Sequence, residues 1–304
     1  MRFARVTAFG ALLLVGVAAT PAKAPPTPVE AKVVTTGRAP CGVVAREGAL
    51  WVGVYAAGTV LRIDPTSSRI TKRIRTGQWT CRVAVDKHAF WITRDRAGVV
   101  LRIDRKTGRR RNIDLGRSPF DVLLAAGSVW VTSYEAGTIA RLDPATGRLV
   151  SVVRGGDFPA GLTSCKGRIW VGHGRDATWL TSIVPASGEV KRVEVGAQTP
   201  GWPHCIGGEL WVTTLDSVVR VDPESGTVRA RIRLGGTPAD AGAGPDGLVW
   251  VTDKELSRVD RIDPGTNELV DSFPAGPGAF AVARVGTSMW VTSFAGADIR
   301  RYDR

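Results

Sequence analysis

Three imidazoles are all that the chain offers for proton transfer near neutral pH: His88, His173 and His204. Two of them stand beside other chemically useful side chains. One segment reads Gly172-His173-Gly174-Arg175-Asp176-Ala177-Thr178-Trp179, and another reads Thr199-Pro200-Gly201-Trp202-Pro203-His204. His173 or His204 working with Asp176 has the composition of a general acid–base pair. Arg175, Trp179 and Trp202 add a charge and two aromatic walls, which suits a pocket for a small ligand or glycan. The catalytic candidates are therefore His173, His204 and Asp176. The ligand-binding candidates are His173, Arg175, Asp176, Trp179, Trp202 and His204. Each also has a structural reading: Trp179 and Trp202 as fillers between elements, His204 as a hydrogen-bonded core imidazole, Arg175 and Asp176 as a solvated loop pair. No G-x-S-x-G, H-E-x-x-H, phosphate-loop or calcium-loop pattern occurs.

The elements that must position these residues form a repeat. Trp51, Trp91, Trp130, Trp170, Trp211, Trp250 and Trp290 are spaced 40, 39, 40, 41, 39 and 40 apart. Each sits in an apolar motif such as Leu50-Trp51-Val52 or Met289-Trp290-Val291. Most units continue to Arg-apolar-Asp-Pro, as in Arg62-Ile63-Asp64-Pro65 and Arg141-Leu142-Asp143-Pro144, then to an alternating strand and a Gly-x-x-Pro link such as Gly116-Arg117-Ser118-Pro119. Period-two alternation broken by turns every 8–12 residues or so describes short strands, four to a unit. Seven such units predict an all-β, seven-bladed β-propeller of four-stranded antiparallel blades. We letter the strands A to D from the axis outward, with the Trp on strand B. The seventh unit stops after strand C, and the segment Val29 to Thr35 matches the missing strand D. An N-terminal strand pairing into the last blade would close the ring and hide two sheet edges.

Departures from the repeat mark where a site belongs. From the Trp to the turn Asp is 13 residues in five units, but 11 in unit five, and unit four has Val184 where the Asp should be. Units four and five hold the two segments above, in loops that open on one face around the channel. Trp202 and His204 are two apart and share a strand face. His88 falls in a turn on the opposite face. A second patch on the site face, Trp79, Arg82, Arg94, Asp95, Arg96, Asp121, Tyr134 and Glu135, mixes signs and reads as a polar rim.

Cys41 and Cys81 occupy equivalent positions ten residues before their Trp, and Cys165 and Cys205 are also 40 apart. Innermost strands of neighbouring blades converge near the axis, within the roughly 4.4–6.8 Å Cα separation a bridge needs. Disulfides Cys41–Cys81 and Cys165–Cys205 are expected, each stapling adjacent blades. Zinc is poorly served, since no C-x-x-C occurs.

Residues 1–24 read as a secretory signal peptide: Arg2 and Arg5, an apolar run from Val6 to Ala19, and Ala22-Lys23-Ala24 as the cleavage site. Residues 25–28 would be a short linker and 29–304 a single propeller. No later apolar run approaches the ~20 residues of a membrane helix. The expectation is a secreted, extracytoplasmic monomer. The formal net charge is +13, and a basic surface can meet nucleic acid or anionic polymers. Much of the excess is repeated in the blades. Arg62, Arg102, Arg141, Arg220 and Arg261 precede the turn Asp by two and are expected to pair with it or its neighbours. Lys72, Arg73, Arg75, Arg229, Arg231 and Arg233 fall on outermost strands, where cations oppose edge-to-edge aggregation.

The recurring W-V-T, R-I-D-P and G-x-x-P units resemble the YVTN-type propeller repeats, and are similar to those of the streptogramin B (virginiamycin B) lyase family. The resemblance covers nearly all of residues 29–304. For the lyases it implies a magnesium-assisted elimination served by two His near the start of strand A in adjacent blades and a Glu three residues after a blade Trp. Here the strand A starts hold Cys41, Cys81, Phe120, Ala160, Gly201 and Ala239, and the position three after the Trp holds Val54, Arg94, Ser133, His173, Thr214, Asp253 and Ser293. Asp253 alone offers a carboxylate, as a candidate metal ligand. The leading expectation is a binding or interaction module with no cofactor, taking a small ligand, glycan or extracytoplasmic protein at the channel mouth. The alternatives are a lyase-like C–O elimination using a divalent cation such as magnesium, and binding of nucleic acid or an anionic polymer.

Overall fold

The computed structural model describes residues 31–303. The expected signal peptide, the expected linker and residues 29–30, expected to open the N-terminal strand, lie outside the described residues. Seven four-stranded antiparallel sheets follow one another around a ring. Their inner strands are Pro40–Arg46, Thr80–Val85, Pro119–Ala125, Pro159–Cys165, Trp202–Ile206, Pro238–Ala243 and Ala279–Val285. Ala31–Thr35 pairs antiparallel with Asp298–Asp303, so the first strand supplies the outer edge of the last blade. No helix of the described residues is long and apolar enough to cross a membrane.

Alternation turns one face of each strand toward the neighbouring blade, and the repeat Trp fills that junction. Trp51 packs with Val83, Val85, Phe90 and Ile92 of the next blade, and Trp290 packs with Leu50, Val52 and Val54 across the closing junction. The repeat tryptophans are 0–4% exposed. Truncating one of them to Ala would cost about 3–5 kcal/mol.

The consensus polar residues lock blade to blade. In the W-V-T motif the Thr hydroxyl donates to a carbonyl at the start of the next inner strand: Thr93 to Phe120, Thr132 to Ala160, Thr213 to Ala239, Thr252 to Phe280 and Thr292 to Cys41. Two junctions lack this bond. Blades 1 and 4 carry Gly53 and Gly172 at the Thr position, where a Cβ would lie 2.0 Å from the Cys81 carbonyl oxygen and 2.2 Å from that of Gly201. Those same junctions carry the two disulfides, Cys41–Cys81 with Cα atoms 5.0 Å apart and Cys165–Cys205 with Cα atoms 5.4 Å apart. Where the backbones approach too closely for a Thr side chain, a covalent bond stands in for the hydrogen bond.

Most strand C arginines reach past the expected partners, the turn Asp or its neighbours, to the next blade. Directly opposite the Trp on strand B, Arg102, Arg141, Arg220 and Arg301 lie over the indoles of Trp91, Trp130, Trp211 and Trp290. They donate onward to the next blade's turn, at the carbonyls of Ala145, Pro185, Pro264 and Pro65. Two of them also approach their own turn Asp: Arg102 comes within 4.0 Å of Asp104, and Arg301 Nε donates to Asp303 at 2.6 Å. Arg62 donates to Thr71 and Arg261 pairs with Asp246 and Asp271, both within their own blades. The turn aspartates are occupied by their own turns. Asp222 accepts from the backbone N–H groups of Ser225 and Glu224, which with Arg229 hold its carboxyl down to about 2.

Candidate functional site

The inner strands are identical in role but not in sequence. At the third residue of the inner strand, or its first in blade 5, the blades present Gly42, Arg82, Asp121, Gly161, Trp202, Asp240 and Ala281 in turn around the axis. Arg82 reaches across the channel, its guanidinium 4.1 Å over the Trp202 ring and 5.6 Å from the Phe280 ring. The small residues make the space. A Cβ on Gly42 would meet Arg82 Cδ at 2.8 Å, and one on Gly161 would meet Trp202 at 2.4 Å.

Below this layer the channel encloses about 210 Å³, lined by Arg82, Asp121, His204 and Asp240 among apolar strand residues. Asp121 accepts from the N–H groups of Val122 and Leu162, and Asp240 from those of Ala241 and Val282, so each carboxylate also stitches its blade to the next. His204 Nε2 lies 3.0 Å from Asp240 Oδ1. Arg82 Nη1 is 3.6 Å from Asp240 and Nε is 4.0 Å from Asp121. Arg82 Nε and Nη2 are buried without a hydrogen-bond partner. Burial pushes the Asp121 carboxyl above its ordinary range against the pull of Arg82. Burial also pushes Asp240 up, but His204 and Arg82 outweigh it and hold that carboxyl below the usual value.

Above the layer the channel opens into an aromatic cup of about 150 Å³. Its walls are Tyr55, Phe120, Trp202, Phe280, Phe294, the Cys41–Cys81 disulfide and one carboxylate, Asp95. The rings form an arc: Tyr55 beside Phe294, Phe294 beside Phe280, then Arg82, Trp202, Phe120, Tyr134 and Phe158, with Arg175 over Phe158 at the far end. Asp95 opens the 3₁₀ turn Asp95–Ala97. Its carboxylate accepts the backbone N–H of Arg96 at 2.6 Å and the Tyr55 hydroxyl at 3.1 Å. Burial raises the Asp95 carboxyl above its ordinary value and, with the neighbouring charge of Asp95, pushes the Tyr55 hydroxyl up to about 12.

The residues singled out in the sequence fall in two places. Trp202 and His204 face the channel. His173, Arg175, Asp176 and Trp179 line neither the channel nor the cup. His173 is fully buried inside blade 4. Its Nδ1 donates to the Asp157 carbonyl at 2.9 Å, and its Nε2 lies 2.9 Å from the Thr181 hydroxyl. A carbonyl only accepts, so Nδ1 carries the proton, and the Thr181 hydroxyl donates to the Gly155 carbonyl at 3.0 Å. Burial lowers the pKa of His173. Trp179 sits on strand C, against His173 on one side and under the Arg192 guanidinium on the other. Arg175 and Asp176 are exposed and His88 is exposed on the far face. Asp253 is buried and caps its own turn, accepting from Glu255 and Leu256. Among the described residues no group of three His, Cys, Asp or Glu side chains is arranged to hold a metal ion.

Three of the cup's residues, Tyr55, Asp95 and Phe294, come from one repeat position. Four residues after the Trp stand Tyr55, Asp95, Tyr134, Gly174, Leu215, Lys254 and Phe294. The backbone N–H of Tyr55, Tyr134 and Phe294 donates to the residue two before the inner strand's second position, at Ala39, Ser118 and Gly278, which fixes each ring at the mouth. Reading that column down the repeat would have shown three aromatics and an acid on one side of the ring.

Comparison with solved structures gives the same architecture. A catalytically inactive virginiamycin B lyase from Staphylococcus aureus, solved with quinupristin, is 17% identical, with a TM-score of 0.77 over 90% of this chain and 100% of that one. A streptogramin B lyase structure is 16% identical, with a TM-score of 0.76 over 90% and 97%. The WD40 propeller domain of Doa1 is 11% identical, with a TM-score of 0.73 over 90% and 96%. At these identities the likeness shows the fold alone. No protein-family model and no curated protein sequence matches the chain.

Proposed function

We propose that the chain is an exported binding propeller that takes a small ligand in the aromatic cup at its channel mouth. The observation that carries this reading is the cup itself. Five aromatic rings and a disulfide wall enclose about 150 Å³ on the ring axis. Phe294 is 38% exposed and Trp202 and Tyr55 are half-buried, where a folding role alone would bury them. An apolar cavity of about that volume holds one six-membered ring. The two disulfides fit an oxidising, extracytoplasmic compartment.

Titration with single-ring compounds such as benzyl alcohol tests the reading. A ligand at 100 times its Kd stabilises by about 2.7 kcal/mol, which appears as a rise in Tm. Trp202→Ala and Phe294→Ala abolish that rise, and Trp179→Ala leaves it intact. A rise that survives both cup variants places the ligand elsewhere.

The His204–Asp240 pair favours one second reading, elimination by a carboxylate-oriented imidazole base, the chemistry for which the virginiamycin B lyases are named. Loss of a cyclic depsipeptide in the presence of magnesium, removed by His204→Ala, is its test.

A further inference from the structure

We propose that the cup selects ring compounds carrying a protonated amine, with Asp95 as the counter-charge; this rests on the mouth being the binding site. Asp95 is the one charged side chain on the cup wall. None of the ion pairs among the described residues includes it, although Arg82 and Arg117 both pair with acids. Its carboxylate accepts one backbone N–H and one phenol O–H. An ionised carboxylate has about four acceptor sites, so capacity remains on the cup side. Burial raises its carboxyl against its two hydrogen bonds and the charge of Arg96, and an ammonium in the cup supplies the ion-pair contact that the described residues do not.

The other charges facing the position agree with a cation. Arg96 is exposed and its charge acts on Asp95 without forming an ion pair, and Glu135 opposes it with a second negative charge. Arg82 lies beneath the cup, but it is held against Trp202 and Phe280 and faced by both Asp121 and Asp240. The layer under the cup therefore holds two carboxylates to one guanidinium. The faces of Tyr55, Phe280 and Phe294 add the negative side of their quadrupoles, which attracts an ammonium. The volume admits one ring, so the fitting class is a compact arylalkylamine: the ring in the cup, the ammonium at Asp95.

Benzylamine, benzyl alcohol and benzoate, titrated at pH 7 into the full secreted chain by calorimetry, separate the possibilities. Benzylamine is expected to bind at least about tenfold more tightly than benzyl alcohol, the size of a charge-assisted hydrogen bond. Asp95→Asn, which keeps an acceptor for the Arg96 N–H, is expected to erase that preference and leave benzyl alcohol unchanged. Tyr55→Phe keeps the ring and frees the carboxylate, and is expected to retain the preference. Equal affinity of benzylamine and benzyl alcohol overturns the ammonium selectivity and leaves the mouth site standing. Tighter binding of benzoate also overturns it, and assigns selectivity to Arg82. Failure of all three compounds to bind removes the mouth site together with this inference.

Discussion

The junctions between blades 1 and 2 and between blades 4 and 5 are built alike and placed differently. Both have Gly where the other five have a latching Thr, both bring a carbonyl within about 2 Å of where its Cβ would be, and both are closed by a disulfide. Cys41 lies near the start of its inner strand, at the mouth, and its bridge to Cys81 walls the aromatic cup. Cys165 ends its inner strand, so its bridge to Cys205 sits toward the opposite face. The surroundings differ as well. The blade 4–5 junction has polar groups with partners inside the fold: His173 Nδ1 at the Asp157 carbonyl, the Thr181 hydroxyl at the Gly155 carbonyl, and the His173 backbone N–H at the Pro200 carbonyl. The blade 1–2 junction leaves Asp95 without an ion pair among the described residues and stands beside Arg82, which has buried N–H groups without acceptors. An irregular blade is thus not in itself a site. What distinguishes a site is hydrogen-bonding and charge capacity that the fold leaves unused.

The largest effect that probes this contrast comes from the bridges. Each closes a 40-residue separation, so Cys41→Ser/Cys81→Ser and Cys165→Ser/Cys205→Ser should each lose about 3–4 kcal/mol in denaturant unfolding. Only the first pair should weaken ring-compound binding. Equal effects on binding would erase the distinction between the junctions. Next in size, Gly53→Thr should cost about 2–3 kcal/mol, because the added side chain must displace the Cys81 carbonyl. Thr132→Val, which removes an ordinary latch to Ala160, should cost about 1 kcal/mol. If Gly53→Thr is neutral, the close approach is not what excludes Thr.

The smallest effect is a pH dependence confined to the blade 4 side. His173 has a folded pKa held below its ordinary 6.5. The unfolded chain therefore binds the proton first, so stability is full above pH 6.5 and falls as pH drops through the window below it. His173→Gln should flatten that slope in thermal melts between pH 7 and 5 while leaving ring-compound binding at pH 7 unchanged.

The seven tryptophans, the Arg-apolar-Asp-Pro turns and the Gly-x-x-Pro links were enough to read the ring, because each marks a strand or turn by local chemistry. Both cysteine pairs were legible for the same reason, as equivalent positions in adjacent units. The strand C arginines were not, since their acceptors are carbonyls some 44 residues away, which carry no side-chain signature. Trp202 and His204 could be placed at the channel by strand parity. His173 and Trp179 share a loop with Arg175 and Asp176 in sequence, yet their rings turn into the blade, and only packing decides that direction. Arg82, Asp95 and Tyr134 were visible as a mixed-sign rim. Their meeting with Phe280, Phe294 and Tyr55 depends on ring closure, which brings blade 7 beside blade 1.

The most direct test of the mouth as the working site is a ¹⁵N-tryptophan indole spectrum recorded while benzylamine is added. The account predicts that the Trp202 resonance moves and the Trp179 resonance stays still. Movement of Trp179 with Trp202 unmoved would contradict it and return the site to the blade 4 loop.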